Sequence, residues 1–145
     1  MREFEDFIEN GDVRLQEKNK ILASALVKSS EKGLRFVRKL EINEENSEHI
    51  VADIYDITRE LIEAKLALDG YKSYSHEATI LFLKKFKQFN ESEINFMDNL
   101  RKTRNSIKYY GKEASPEDAE KTLKFMNSIL PKLNKLIEND KEHKK

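Results

Sequence analysis

The sequence contains no cysteine and no tryptophan, only two prolines and four glycines, and no net charge, with 27 Lys and Arg set against 27 Asp and Glu in 145 residues. Without cysteine there is neither a disulfide framework nor a thiolate metal site. A charge of zero removes the global positive field of a non-specific nucleic-acid binder, so any nucleic-acid contact has to be local. No apolar run approaches the ~20 residues of a membrane span. The opening residues, Met1 to Phe7, are acidic and lack the apolar segment of a signal peptide. Together these absences point to a cytoplasmic protein with no membrane contact. The length fits one domain over 1–145, long enough to bury a core unaided. Residues 140–145 form a charged tail expected to fray.

Few breakers leave helical periodicity throughout. Phe4, Phe7 and Ile8 suggest a short opening helix, broken at Asn10-Gly11-Asp12. Asp12 is a candidate cap for the next helix. Leu22, Leu26, Phe36 and Leu40 then share one stripe, which predicts a long helix over about 12–40, with Ser29 and Gly33 small enough to let another helix approach. A break into two helices at Gly33 is the alternative. After a polar loop from Glu41 to Ser47, capped by Asn46 or Ser47, the stripe Ile50, Ile54, Ile57, Leu61, Ala64 and Leu68 predicts a helix that Gly70 stops. Beside it runs an acidic row, Asp53, Asp56, Glu60 and Glu63. That row is either a solvated face or a dock for a basic strip.

Tyr71 to Tyr74 reads as a loop, with Ser75 capping a helix from His76 to about Lys87. Asn90 with Glu93 is a capping-box start for a helix to Tyr110 that Gly111 closes. Ser115-Pro116-Glu117-Asp118 is a cap, a proline at the first helical position and acids in the first turn. The helix it starts should kink at Pro131. The expected fold is all-α, an up-down antiparallel helical bundle of four main helices plus short extra helices.

Charges read as mixed along the chain except between Asp98 and Glu113. That stretch has no acid and five bases: Arg101, Lys102, Arg104, Lys108 and Lys112. On the predicted helix Phe96, Leu100, Thr103, Ile107 and Tyr110 form an apolar stripe, and Arg101, Arg104 and Lys108 stack about 100° away, flanked by Asn105. Stacked like charges are tolerated when an anion, a carboxylate face or water answers them. The helix dipole supplies an ordinary reason for cations at this end. Tyr109 is placed to stack a base beside these cations.

Leu100-Arg-x-x-Arg104-Asn105-x-x-Lys108-Tyr-Tyr-Gly111, with the earlier Gly70-Tyr-Lys-x-Tyr-Ser-His76-Glu-Ala78, resembles the small prokaryotic HEPN domains, most closely over residues 46–139. The resemblance implies a helical bundle, commonly a homodimer. Many members are metal-independent ribonucleases in which an Arg, followed by Asn or another polar residue, precedes a His by four to six positions. Others are inactive scaffolds or partners of small nucleotidyltransferases in toxin–antitoxin pairs. On this pattern Arg104 matches the Arg and Asn105 its polar follower. No His comes after them; Lys108 or Tyr109 stands in its place, and an ammonium or a phenol is a poor general base near neutral pH. The leading expectation is therefore a module that binds RNA, a nucleotide or a partner protein through Arg101, Lys102, Arg104, Lys108, Tyr109 and Lys112. The alternative is a metal-independent endoribonuclease using Arg104 and Asn105 with Lys108 or Tyr109.

Other signals lead nowhere. His76-Glu77-x-x-Ile80 lacks the second His of a zinc-protease helix, and His76 reads as a first-turn residue. No Glu-x-x-His pair exists for a di-iron site. No metal and no cofactor are expected.

Overall fold

The structure, a computed structural model, describes residues 2–142, with side chains through Asn139, so the expectation for the tail 140–145 lies outside the described side chains. In chain order the elements are α1 (Phe4–Glu9), β1 (Val13–Leu15), α2 (Lys20–Arg38), α3 (Ser47–Asp69), β2 (Tyr71–Ser73), α4 (His76–Leu81) with a 3-10 turn after it (Phe82–Lys85), α5 (Glu91–Tyr110) and α6 (Pro116–Glu142). The fold is an all-α bundle with four main helices, α2, α3, α5 and α6, as the sequence indicated.

α3 is its axis. Thirteen of its 23 residues are buried, from Ser47 to Leu68, more than one apolar stripe can supply, so it is covered on several sides. α2, α4, α5, α6 and β2 all pack on it. Consecutive residues of α3 serve different neighbours. The Ile57 carbonyl accepts a 2.9 Å hydrogen bond from the Ser30 hydroxyl of α2, while the Thr58 hydroxyl lies 3.5 Å from Met97 Sδ of α5. Helix ends follow the local chemistry. Gly70 and Gly111 take left-handed conformations at φ +86° and +64°. Asn90 and Glu93 form a reciprocal box at the start of α5, and Ser115 and Asp118 do the same for α6.

Several expectations need correction. No helix begins at Asp12. Its carbonyl instead accepts the Tyr74 N–H at 2.7 Å, and Val13–Leu15 pairs antiparallel with Tyr71–Ser73 in the register Val13↔Ser73. The stretch expected to be a loop at Tyr71–Tyr74 is therefore mostly β2. The partners are nearly sixty residues apart, and no local pattern announces them. α2 starts only at Lys20, capped by the Asn19 side chain on Leu22 N–H. It runs unbroken past Gly33, where a Cβ would sit 3.0 Å from Ile57 Cγ1. The expected close approach is real, but Gly33 and Ser30 make it rather than Ser29. Ala23, Ser30 and Val37 are the buried residues of α2, and Phe36 is 59% exposed.

Asn46 precedes α3 without capping it by its side chain. That side chain ties the preceding loop through Asn43 N–H and the Glu41 carbonyl. α6 is helical through Pro131.

Candidate functional site: a guanidinium cluster between α3 and α5

α5 lies rotated from the expected orientation. Its buried residues are Ile94, Met97, Leu100 and Arg104, a row at spacings of three, three and four. Phe96 is partly exposed and Tyr110 is 85% exposed, neither of them core. The rotation carries Arg104 inward, where its side chain is only 10% exposed. The basic stripe drawn from the sequence is thereby taken apart. Arg101 Nε pairs with Asp98 Oδ1 at 2.9 Å, and Lys102 approaches the other oxygen of that carboxylate at 3.5 Å. Asn105 is half-buried, its amide oxygen 3.5 Å from Arg104 Nη1. Lys108 and Tyr109 are exposed. Lys112 lies apart from them, with Lys121 on the rim of a cleft of about 300 Å³ floored by Val51, Phe96 and Leu100.

What meets Arg104 comes from α3. One short charged row, Asp56, Arg59 and Glu63, interrupts the apolar surface of that helix at i, i+3 and i+7. Asp56 Oδ1 is shared by two guanidinium groups, Arg59 Nη2 at 3.4 Å and Arg104 Nη2 at 3.6 Å. Arg59 Nη1 makes the one short contact, 2.8 Å to Glu63 Oε1. Of the acidic row suspected of docking a basic strip, Asp56 alone meets a cation of α5, Arg104. Beneath the guanidinium groups lies Tyr55, fully buried, with Arg104 Cζ 5.7 Å and Arg59 Cζ 6.0 Å from its ring centre.

A third element, α4, completes the cluster. The His76 ring lies 6.3 Å from that of Tyr55. β2 and the start of α4 fix its position: Ser73 Oγ donates to the Ser75 carbonyl at 2.7 Å, Thr79 Oγ1 contacts Ser73 Oγ at 3.0 Å, and Ser75 Oγ caps Ala78 N–H. Partial burial and the nearby Arg59, with Arg104 adding to it, hold the His76 imidazole below its ordinary pKa, although Glu63 and Asp56 oppose them. The neutral ring is therefore favoured near pH 7. Burial pushes the Tyr55 hydroxyl up to about 12, so it stays a donor. Burial, then the neighbouring Asp56, raises Asp53.

No protein-family model, curated protein or solved structure matches this chain. The site has to be understood from its own chemistry. Tyr55 Oη, Arg59 Nε and Arg104 Nε are buried with no hydrogen-bond partner. A guanidinium presents five N–H donors, and here two of them share one carboxylate oxygen at long range. The cluster has more buried donors than acceptors. Burying a donor unanswered costs about 1–3 kcal/mol, so such a site favours a ligand rich in acceptor oxygens. A tetrahedral oxyanion suits paired guanidinium groups best. Among the described residues no group of three or more His, Asp or Glu is arranged to hold a metal.

Of the residues expected to act, only Arg104 and Asn105 lie in this cluster, with Arg101 near enough to bear on Tyr55 electrostatically. Lys102, Lys108, Tyr109 and Lys112 do not join it. Tyr55, Arg59 and His76 were missed. The available signal was Arg59 itself, a cation set into the acidic row of α3, three residues after Asp56 and four before Glu63.

Proposed function

We propose that this chain is a HEPN-like RNA-binding module that holds a backbone phosphate between Arg104 and Arg59, with the Tyr55 hydroxyl as a further donor. One observation carries the reading: Arg104 is buried, yet its polar contacts are a 3.6 Å ion pair and a 3.5 Å contact to Asn105. A guanidinium held purely for stability would be expected to saturate its donors. A phosphodiester offers two unesterified oxygens, one for each guanidinium group.

A second reading, metal-independent RNA cleavage, is favoured by the place of His76. His76 of α4, its ring 6.3 Å from that of Tyr55, would stand in for the motif His absent after Arg104. A neutral imidazole there can take the proton of a ribose 2′-hydroxyl as its oxygen attacks the adjacent phosphorus. The bond to the 5′-oxygen breaks, that oxygen takes a proton from water, and the products are a 2′,3′-cyclic phosphate and a 5′-hydroxyl. Arg104 and Arg59 would stabilise the charge gathering on the phosphoryl oxygens. In this scheme His76, not Lys108 or Tyr109, moves the proton.

Binding and cleavage of single-stranded RNA in EDTA test both readings. Arg104→Ala is expected to weaken binding at least tenfold, about 1.4 kcal/mol. His76→Gln is expected to bind as wild type and not cleave. Unchanged binding by a folded Arg104→Ala protein rejects the first reading. Cleavage that survives His76→Gln but not Lys108→Ala returns the proton transfer to α5.

A further inference from the structure

Seven basic residues and one acid, Glu31, lie from Lys18 to Lys39, a longer basic segment than the one around Arg104. Most of these residues lie on α2, and the helix sorts them. At ~100° per residue, Lys28, Lys32, Arg35 and Lys39 fall within an arc of about 60°. The buried residues Ala23, Ser30 and Val37 lie opposite, and Glu31 stands about 70° from the middle of the arc. All four cations are exposed. None of them enters an ion pair among the described residues. They form a straight row about 17 Å long, with steps of roughly 4.5 to 6 Å.

Two features decide what such a row fits. An interfacial membrane helix turns its apolar stripe to the lipid, but the apolar stripe of α2 is packed on α3. Its exposed apolar residues, Ile21 at 86% and Phe36 at 59%, are fifteen positions apart and make no continuous patch. A linear, evenly stepped row of mostly Lys point charges complements a linear polyanion of similar charge spacing, and Phe36 beside Arg35 offers a face for a base to stack on.

We infer that the outer face of α2 is a second RNA-binding tract, contacting successive backbone phosphates through Lys28, Lys32, Arg35 and Lys39. The inference takes the polymer's identity from the RNA reading above, but its residues are separate. Arg104 meets α3 on the side facing α5, while α2 packs against Ile57.

Fluorescence anisotropy of a labelled single-stranded RNA, measured from 50 to 200 mM salt, tests it. Lys28→Gln with Lys32→Gln removes two phosphate contacts. The salt slope should fall by about 1.4, and affinity at 100 mM should drop roughly 20-fold. Lys28→Glu with Lys32→Glu should weaken binding further. These exposed, unpaired positions leave the fold intact. A slope unchanged in the glutamine variant overturns the inference, as does wild type binding anionic vesicles in place of RNA. Weak binding by Arg104→Ala with an unchanged glutamine variant removes the α2 tract alone. The reverse pattern supports α2 and removes the Arg104 reading.

Discussion

Two left-handed glycines provide a matched measurement of how α3 is joined to the N-terminal ribbon. Gly70 and Gly111 both end long helices, at φ +86° and +64°. Alanine in this region costs about 1–2 kcal/mol, of which about 0.4–1 is returned because the unfolded chain has less freedom to lose. At Gly111 nothing lies within 4 Å of an added Cβ, so Gly111→Ala should destabilise by only about 1 kcal/mol. At Gly70 the added Cβ would stand 2.9 Å from the Gln16 carbonyl oxygen. That oxygen belongs to backbone and cannot simply swing aside. Gln16 N–H donates to the Gly70 carbonyl at 2.9 Å, and Asn19 N–H to the Ala67 carbonyl at 2.9 Å. Moving Gln16 away strains both bonds, at about 1 kcal/mol each. Gly70→Ala should therefore cost about 3 kcal/mol, some 2 kcal/mol more than Gly111→Ala. In a chain of this size the gap corresponds to roughly 6 °C in Tm. Urea melts followed by far-UV circular dichroism measure it, with the m-value as a check that the unfolded state is unchanged. If the two variants agree within about 0.5 kcal/mol, the tight seat of Gln16 against Gly70 is not there in solution.

The candidate site gives sharper expectations. Tyr55→Phe should raise stability by about 1 kcal/mol, because the buried hydroxyl it removes has no partner, yet it should weaken RNA binding; a clear loss of stability by urea melt would mean that the hydroxyl is bonded. His76 is held below its ordinary value of about 6.5, so its contribution to stability is fully present above that pH and is lost as pH falls through the lower folded-state value. Melts between pH 7.5 and 4.5 should show His76→Gln losing less stability than wild type over the acid part of that range, and any RNA cleavage should keep its rate further into acid than an ordinary imidazole allows. Asn90→Ala removes the reciprocal box that opens α5 and should cost about 1 kcal/mol in the same melts.

The helices were legible wherever the deciding chemistry was local. Asn90 with Glu93, Ser115 with Asp118, and the stopping glycines at 70 and 111 mark ends that the structure reproduces. The ribbon was not legible, because Val13 and Ser73 pair across most of the N-terminal half and three-residue strands carry no period of their own. The orientation of α5 was misjudged for a related reason. Phe96 and Tyr110 outweighed Arg104 on any apolar scale, yet the space beside Tyr55 and Asp56 suits a guanidinium. Phe96 instead stacks on Phe125 of α6 at 4.2 Å, nearer the surface. His76 could not be joined to Arg104 from spacing, since twenty-eight residues and a change of helix separate them. The row on α2 is hard to see in the sequence because a single acid, Glu31, breaks the run while standing to one side of it on the helix.

α3 also sets the order in which the bundle comes apart. It touches nearly every other element, so its amides can exchange only when the whole structure opens. α2 rests chiefly on α3, with one 3.2 Å hydrogen bond reaching α6 from Arg38 to Asn127, and much of its inner face is small: Ala23, Ser30 and Gly33. Its three buried residues, Ala23, Ser30 and Val37, are fewer than the four of α5. Hydrogen exchange should resolve α2 as a separate, lower-energy opening unit while α3, α5 and α6 stay closed, and a strand of RNA lying along its outer face would slow that opening in proportion to how tightly it is held.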